Sequence, residues 1–154
     1  MPEIASKFIT ISKLIYFTTA YWAVGLTEEE YHIRKANYWI ELDNHRRAIR
    51  NYQKALKASE DSQVRAAMAW CYGEIGMLEA CHQHYRTAYD TNSHPSIALR
   101  LAYAELNLGN LAESNTLLQY VKSNRDRLHE EDTEEIEQLE KSIRKERDLS
   151  NKAL

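Results

Sequence analysis

The chain has 154 residues, 44% of them apolar and 28% charged, with a formal net charge of −3. That length allows one compact domain or a short solenoid with a hydrophobic core, and four Gly and two Pro leave little material for the turns of an all-β fold. The acidic balance excludes a generic nucleic-acid binder, which needs a dominant basic surface to displace counterions, and two cysteines, Cys71 and Cys81, are too few for a disulfide framework.

The first predicted element is an apolar helix within residues 1–26. From Phe8 to Leu26 the chain reads FITISKLIYFTTAYWAVGL, with Lys13 as its only charge. Lys13 sits inside the run, Thr, Ser and Tyr dilute it, and no small-residue cleavage site follows a clean apolar core, which argues against a membrane span or signal segment. Ile4, Phe8, Ile11 and Ile15 recur at helical spacing, so the helix has an apolar face that can dock on a neighbouring helix pair. Two other uses of that face stay open: membrane contact through residues 8–26, or pairing in a homodimer, with Phe8, Ile11, Ile15 and Trp22 as the contact residues.

Residues 27–125 repeat. The segments ANYWIELDNHRRAIRNYQKALKA (36–58), AWCYGEIGMLEACHQHYRTAYDT (69–91) and AYAELNLGNLAESNTLLQYVKSN (102–124) each read as a helix, a short polar break and a second helix, superposed by a shift of 33 residues. Ala36, Ala69 and Ala102 share one position; Asp43, Gly76 and Gly109 share the turn; Ala48, Cys81 and Ser114 share a third. Tyr52, Tyr85 and Leu118 come next, followed by Ala55, Ala88 and Val121. Small residues let paired helices approach closely, the large residue four positions on fills the space between repeats, and the turn needs a backbone state that Gly reaches cheaply. One helix pair cannot bury its own apolar face, so the hairpins, about 28–60, 61–93 and 94–126, must stack. Thr27 with Glu30 supplies a capping box for the first, and Pro95 fits the first turn of the third.

Asp132 followed by Glu135 opens a last helix over 132–150. Its apolar residues Ile136, Leu139 and Ile143 form one narrow stripe among dense charge, the pattern of a solvating cap on a solenoid.

On these residues the chain resembles the tetratricopeptide repeat family, over roughly residues 28 to 125. LDNHRRAIRNYQKAL in the first repeat is similar to that family's second-helix pattern; the departures are Glu105 where an aromatic is usual, the lack of a closing Pro, and a period one residue short. The resemblance implies an all-α fold, a right-handed superhelix of three helix hairpins with an N-terminal docking helix and a C-terminal capping helix. The whole layout is also similar to bacterial type III secretion chaperones that protect translocator proteins, and LRLAYAELNLGNLAESNTLL (99–118) resembles the third repeat of that group.

In such proteins the first helix of each repeat lines a concave surface, and the resemblance carries this to Ile33, Asn37 and Ile40, to Ala66, Trp70 and Gly73, and to Leu99, Arg100, Tyr103 and Leu106. A mostly apolar groove of this kind suits a peptide segment of a protein partner, each large buried side chain contributing roughly 1.5–3 kcal/mol, with affinity in the micromolar range. The clamp that some relatives use for an acidic C-terminus is missing, because Ile33, Ala67 and Ser96 occupy three of its five positions and only Asn37 and Arg100 match. The reading is therefore a protein-interaction scaffold or chaperone, cytoplasmic, with a structural subunit attached or oligomerised through its N-terminal helix (a peripheral membrane protein) as the alternative.

Nothing points to an enzyme, a cofactor or a metal. Cys81, His82 and His84 lie close in sequence, but Cys81 is a helix-packing position and the two histidines point to different sides of a helix. Nothing places a cysteine beside a histidine and an orienting carboxylate, and there is no phosphate-cradling glycine loop. Arg46, Arg50, Lys54 and Lys57 make one basic stripe on the second helix of the first repeat, read as a solvated outer face or a docking face for acidic lipid, RNA or an acidic partner.

Overall fold

A computed structural model of the chain describes residues 2–130 and 132–152, with side chains for 6–19, 25–130 and 132–152. Among these the regular structure is helical throughout: α1 Pro2–Val24, α2 Glu28–Glu41, α3 His45–Ala58, α4 Ser62–Glu74, α5 Leu78–Thr91, α6 Pro95–Asn107, α7 Leu111–Ser123 and α8 Asp132–Lys152, with a 3₁₀ turn at Arg125–Arg127. The helices fall into two compact units, Met1–Met77 and Leu78–Leu154.

Three helices end in the same way. Asp43, Gly76 and Gly109 hold φ of 57°, 76° and 80°. The amides that follow reach back five residues, Asn44 to the Trp39 carbonyl at 2.8 Å, Met77 to Tyr72 at 2.9 Å and Asn110 to Glu105 at 2.8 Å. This left-handed cap satisfies carbonyls that the helix itself leaves open. Starts are closed too: the Thr27 hydroxyl accepts from Glu30 N while the Glu30 carboxylate accepts from Thr27 N, and Asp61 accepts from Gln63 N and Val64 N.

In the N-terminal unit α1 packs on α2, α2 pairs with α3, and α3 packs on α4. Ala36, Ala48, Ala55, Ala69 and Cys71 are completely buried, so the helices meet at backbone distance around Tyr52 and Met68. The Tyr52 hydroxyl is not orphaned, because it donates to Asn37 Oδ1 at 2.6 Å. Burial, with Glu74 nearby, pushes the Cys71 thiol up to about 12, and neither cysteine is in a disulfide.

The docking face of α1 differs from the expected one. Thr10, Leu14 and Phe17 are buried, whereas Phe8, Ile11 and Ile15 face outward. Phe17 stacks on Tyr31 at 5.5 Å between ring centroids and tilts against Tyr38 at 5.6 Å, and the Thr10 hydroxyl donates to Glu41 Oε2 at 3.0 Å. A helix with apolar residues on opposite sides has no unique docking side from periodicity alone; the aromatic contacts decide it.

In the C-terminal unit α5 packs on α6, α6 pairs with α7, and α8 packs on α7 and α6. Ile97, Leu99, Leu101, Leu118, Val121 and Leu139 are buried together with the α8 stripe residues Ile136 and Ile143. Ser114, at a small-residue position, is fully buried and donates its hydroxyl to the Ala102 carbonyl at 2.8 Å. Asp132 accepts from His129 N at 3.1 Å, while Glu135 does not turn back to the helix end but pairs with Arg100.

The repeated turn makes a test. A Cβ at Gly76 or Gly109 would meet nothing within 4 Å, so only backbone strain is at issue. Gly109→Ala is expected to lower stability by about 1 kcal/mol, and Asp43→Gly to raise it by about 0.5 kcal/mol, both read from urea midpoints at constant m. A loss on Asp43→Gly would show that the Asp43 carboxylate, 3.6 Å from His45 Nδ1, outweighs the strain it carries.

Candidate functional site

The helix faces expected to hold a partner come from α2 and α4 in the N-terminal unit and from α6 in the C-terminal unit. On α2, Ile33 and Ile40 are half-buried against the core and Asn37 is exposed. Because Asn37 Oδ1 already accepts from Tyr52, its amide N–H groups are left as the donors of this face. On α4, Ala66 and Gly73 are half-buried and stand one turn to either side of Trp70. Trp70 is 38% exposed, and its ring meets that of His45 edge-on at 5.2 Å between centroids.

Of the α6 residues, Arg100 and Tyr103 are engaged within their own unit. Leu99 has no exposed surface, so its assignment to the groove is corrected: it is a core residue, on the side of α6 away from solvent. Arg100 Nη1 lies 2.5 Å from Glu135 Oε2, and the Tyr103 hydroxyl donates to the Glu135 carbonyl at 2.7 Å. Burial, reinforced by the Glu135 carboxylate and opposed by Arg100, raises the Tyr103 hydroxyl above its ordinary value. Both side chains fasten α8; Leu106 stays half-buried. Trp22, expected on the outer face of α1, lies outside the residues whose side chains are described.

A buried charge network forms where the repeat pattern departs from an aromatic. Glu105 is only 2% exposed and is held by His82 Nε2 at 2.8 Å, by Asn110 Nδ2 at 2.7 Å and by Arg86, whose guanidinium also reaches Glu113 at 3.1 Å. Burial pushes the Glu105 carboxyl up, but the hydrogen bonds from Asn110, His82 and Arg86 outweigh it and hold the group below its ordinary 4.5. Sequence reasoning registered Glu105 only as a departure. The available signal was that a carboxylate at a core position demands donors, and His82 and Arg86 stand one turn apart on α5. The network consumes His82, and among the described residues no group of three or more His, Cys, Asp or Glu side chains is gathered as a metal ligand set. Nor is any helix among them long and apolar enough to cross a membrane.

No protein-family model matches the chain, and no curated protein matches it. Solved structures do. The chain is similar to the TPR domain of Arabidopsis OM64, with 17% identity and a TM-score of 0.66 over 76% of this chain and 94% of that one. It is also similar to the TPR domain of Sgt2 from Aspergillus fumigatus, with 15% identity and a TM-score of 0.65 over 77% and 81%. The fold is that of a tetratricopeptide-repeat domain. Yeast Tom70 matches at 24% identity and a TM-score of 0.66 over 82% of this chain, which spans only 26% of the Tom70 chain. In tetratricopeptide-repeat terms α2, α4 and α6 are the first helices of three repeats and α3, α5 and α7 the second ones, so the three left-handed caps are the turns inside the repeats.

Glu105 is therefore a structural substitute for the aromatic of a tetratricopeptide repeat, and it leaves a pH signature. Its depressed folded-state value means that the ionised carboxylate stabilises the fold at pH above about 4.5 and that this contribution is lost as pH falls through the lower, folded value. Glu105→Ala is expected to cost about 3 kcal/mol at pH 7, because it removes the acceptor shared by His82, Asn110 and Arg86, of which Arg86 keeps Glu113. Melting from pH 7 to pH 3 checks both claims: the gap between wild type and Glu105→Ala should narrow in acid.

Proposed function

We propose that the chain is a protein-interaction scaffold whose first-helix faces on α2 and α4 hold a peptide segment of a partner, and that it acts without catalysis or cofactor. The observation that carries this reading is Trp70. A large ring kept 38% exposed, between the small residues Ala66 and Gly73 on one helix face, leaves a step into which an apolar side chain can fit. Ile33 and Ile40 add half-buried apolar surface on α2, and Asn37 adds donors that would fix the register of a peptide carbonyl. On α6, in the other unit, Arg100 and Tyr103 are committed to α8. The chaperone role suggested by the resemblance to type III secretion chaperones is one form of this activity, and a cytoplasmic setting suits both.

A second reading, a subunit that attaches or oligomerises through α1, is favoured by one observation: Phe8, Ile11 and Ile15 are exposed rather than docked.

The scaffold reading is tested by selecting peptides from a random display library on the full chain and titrating the best binders. Trp70→Ala is expected to weaken them at least tenfold, roughly the 1.4 kcal/mol or more that an anchor ring contributes, while shifting the melting temperature by only a few degrees, since the ring is not fully buried. Asn37→Ala should weaken binding less. Binders that ignore both substitutions would place the site elsewhere.

A further inference from the structure

The outer face of α1 is the largest apolar feature that the scaffold reading does not use. Phe8 is 70% and Tyr16 74% exposed, with Ile9, Ile11 and Ile15 between them also exposed. At about 100° per residue these five fall on one side of the helix, opposite the docked Thr10, Leu14 and Phe17. The hydroxyls in the same stretch are turned inward on the backbone: Ser12 donates to the Phe8 carbonyl at 3.0 Å, and Thr18 and Thr19 donate to the Ile15 carbonyl at 2.9 and 3.1 Å. That removes their need for water and lets the face behave as apolar. Lys7 and Lys13 lie on the two flanks between the docked and the exposed sides, and the stem of the exposed Lys13 can run along an apolar phase while its ammonium group reaches back to the boundary.

This face continues into a cationic one. A cleft of about 460 Å³ separates α1 from the α2–α3 corner; Ile11 and Ile15 line one wall, Trp39 and Arg47 the other. The Arg47 guanidinium sits over the Trp39 ring at 4.4 Å. On α3, Arg46, Arg47, Arg50, Lys54 and Lys57 are all exposed and share an arc of about 100°, and the helix carries no acidic residue. No ion pair joins any of the five to a carboxylate among the described residues. Five exposed cations on α3, adjoining the apolar α1 stripe through Arg47 at the cleft, offer the apolar and cationic surfaces that a charged lipid interface takes.

We propose that α1 and the cationic arc of α3 form one docking surface for an anionic lipid bilayer, with α1 lying in the plane of the interface rather than crossing it. The inference rests on the second reading above and is independent of peptide capture.

Co-sedimentation of the full chain with vesicles of phosphatidylcholine alone, and with about 30% phosphatidylserine added, tests this, since cationic docking requires the anionic lipid. Binding to the serine-containing vesicles only, lowered about tenfold or more by Phe8→Asn with Ile15→Asn, by Arg46→Glu with Arg50→Glu, or by 0.5 M salt, is the expected result. Trp70→Ala should bind vesicles like wild type, which separates this surface from the peptide face. Because the substituted residues are exposed, circular dichroism and melting should be unchanged. Equal binding to both vesicle types, no binding to either, or a dimer in light scattering that Phe8→Asn with Ile15→Asn turns into monomer would each overturn the proposal.

Discussion

Close approach of neighbouring helices governs this molecule, and it depends on what is missing from a few side chains. Ala36, Ala48, Ala69, Ala102 and Ser114 are entirely buried at corresponding positions of the repeats, and none carries more than a methyl or hydroxymethyl group. Any larger residue there would wedge a hairpin open and expose the apolar residues on either side of it. Ser114 shows how strict the demand is. A polar atom is admitted only because its hydroxyl finds the Ala102 carbonyl of the facing helix.

That constraint was legible because it recurs. Small, turn and large positions fall at one interval, so the all-helical repeat fold and its left-handed corners could be read from spacing, and the solved tetratricopeptide-repeat structures share that fold. What could not be read are the interactions that recur nowhere else. Leu99 belongs to the same helix and the same apolar class as a surface-lining residue, and nothing in the spacing marks it as fully buried. Arg100 and Tyr103 looked like free recognition groups until α8, which has no counterpart in the repeat pattern, took Glu135 to both. On α1 apolar residues stand on opposite sides, so periodicity gave a face without saying whether it pointed in or out.

Glu105 lies between these cases. A repeat pattern predicts a ring at its position, and the structure supplies a carboxylate with three donors, one of which, Asn110, sits in the adjoining turn. A ring would fill the space without needing any particular neighbour. The carboxylate, by contrast, ties α5, α6 and the start of α7 to one another through bonds with fixed directions. Specificity of packing in the C-terminal unit is thus carried partly by a buried charge network, whereas the N-terminal unit packs around Tyr52 and Met68 with the Tyr52–Asn37 hydrogen bond.

The cysteines follow from the same packing. Cys71 and Cys81 are both buried at helix-pairing positions, one in each compact unit. A thiol whose ionisation is suppressed as strongly as that of Cys71 is almost wholly protonated at neutral pH, and alkylating reagents consume the thiolate. Its labelling must wait for the surrounding helices to separate. The molecule therefore contains a clock of its own: the rate at which Cys71 is modified counts the opening events of the N-terminal half, with no foreign probe introduced.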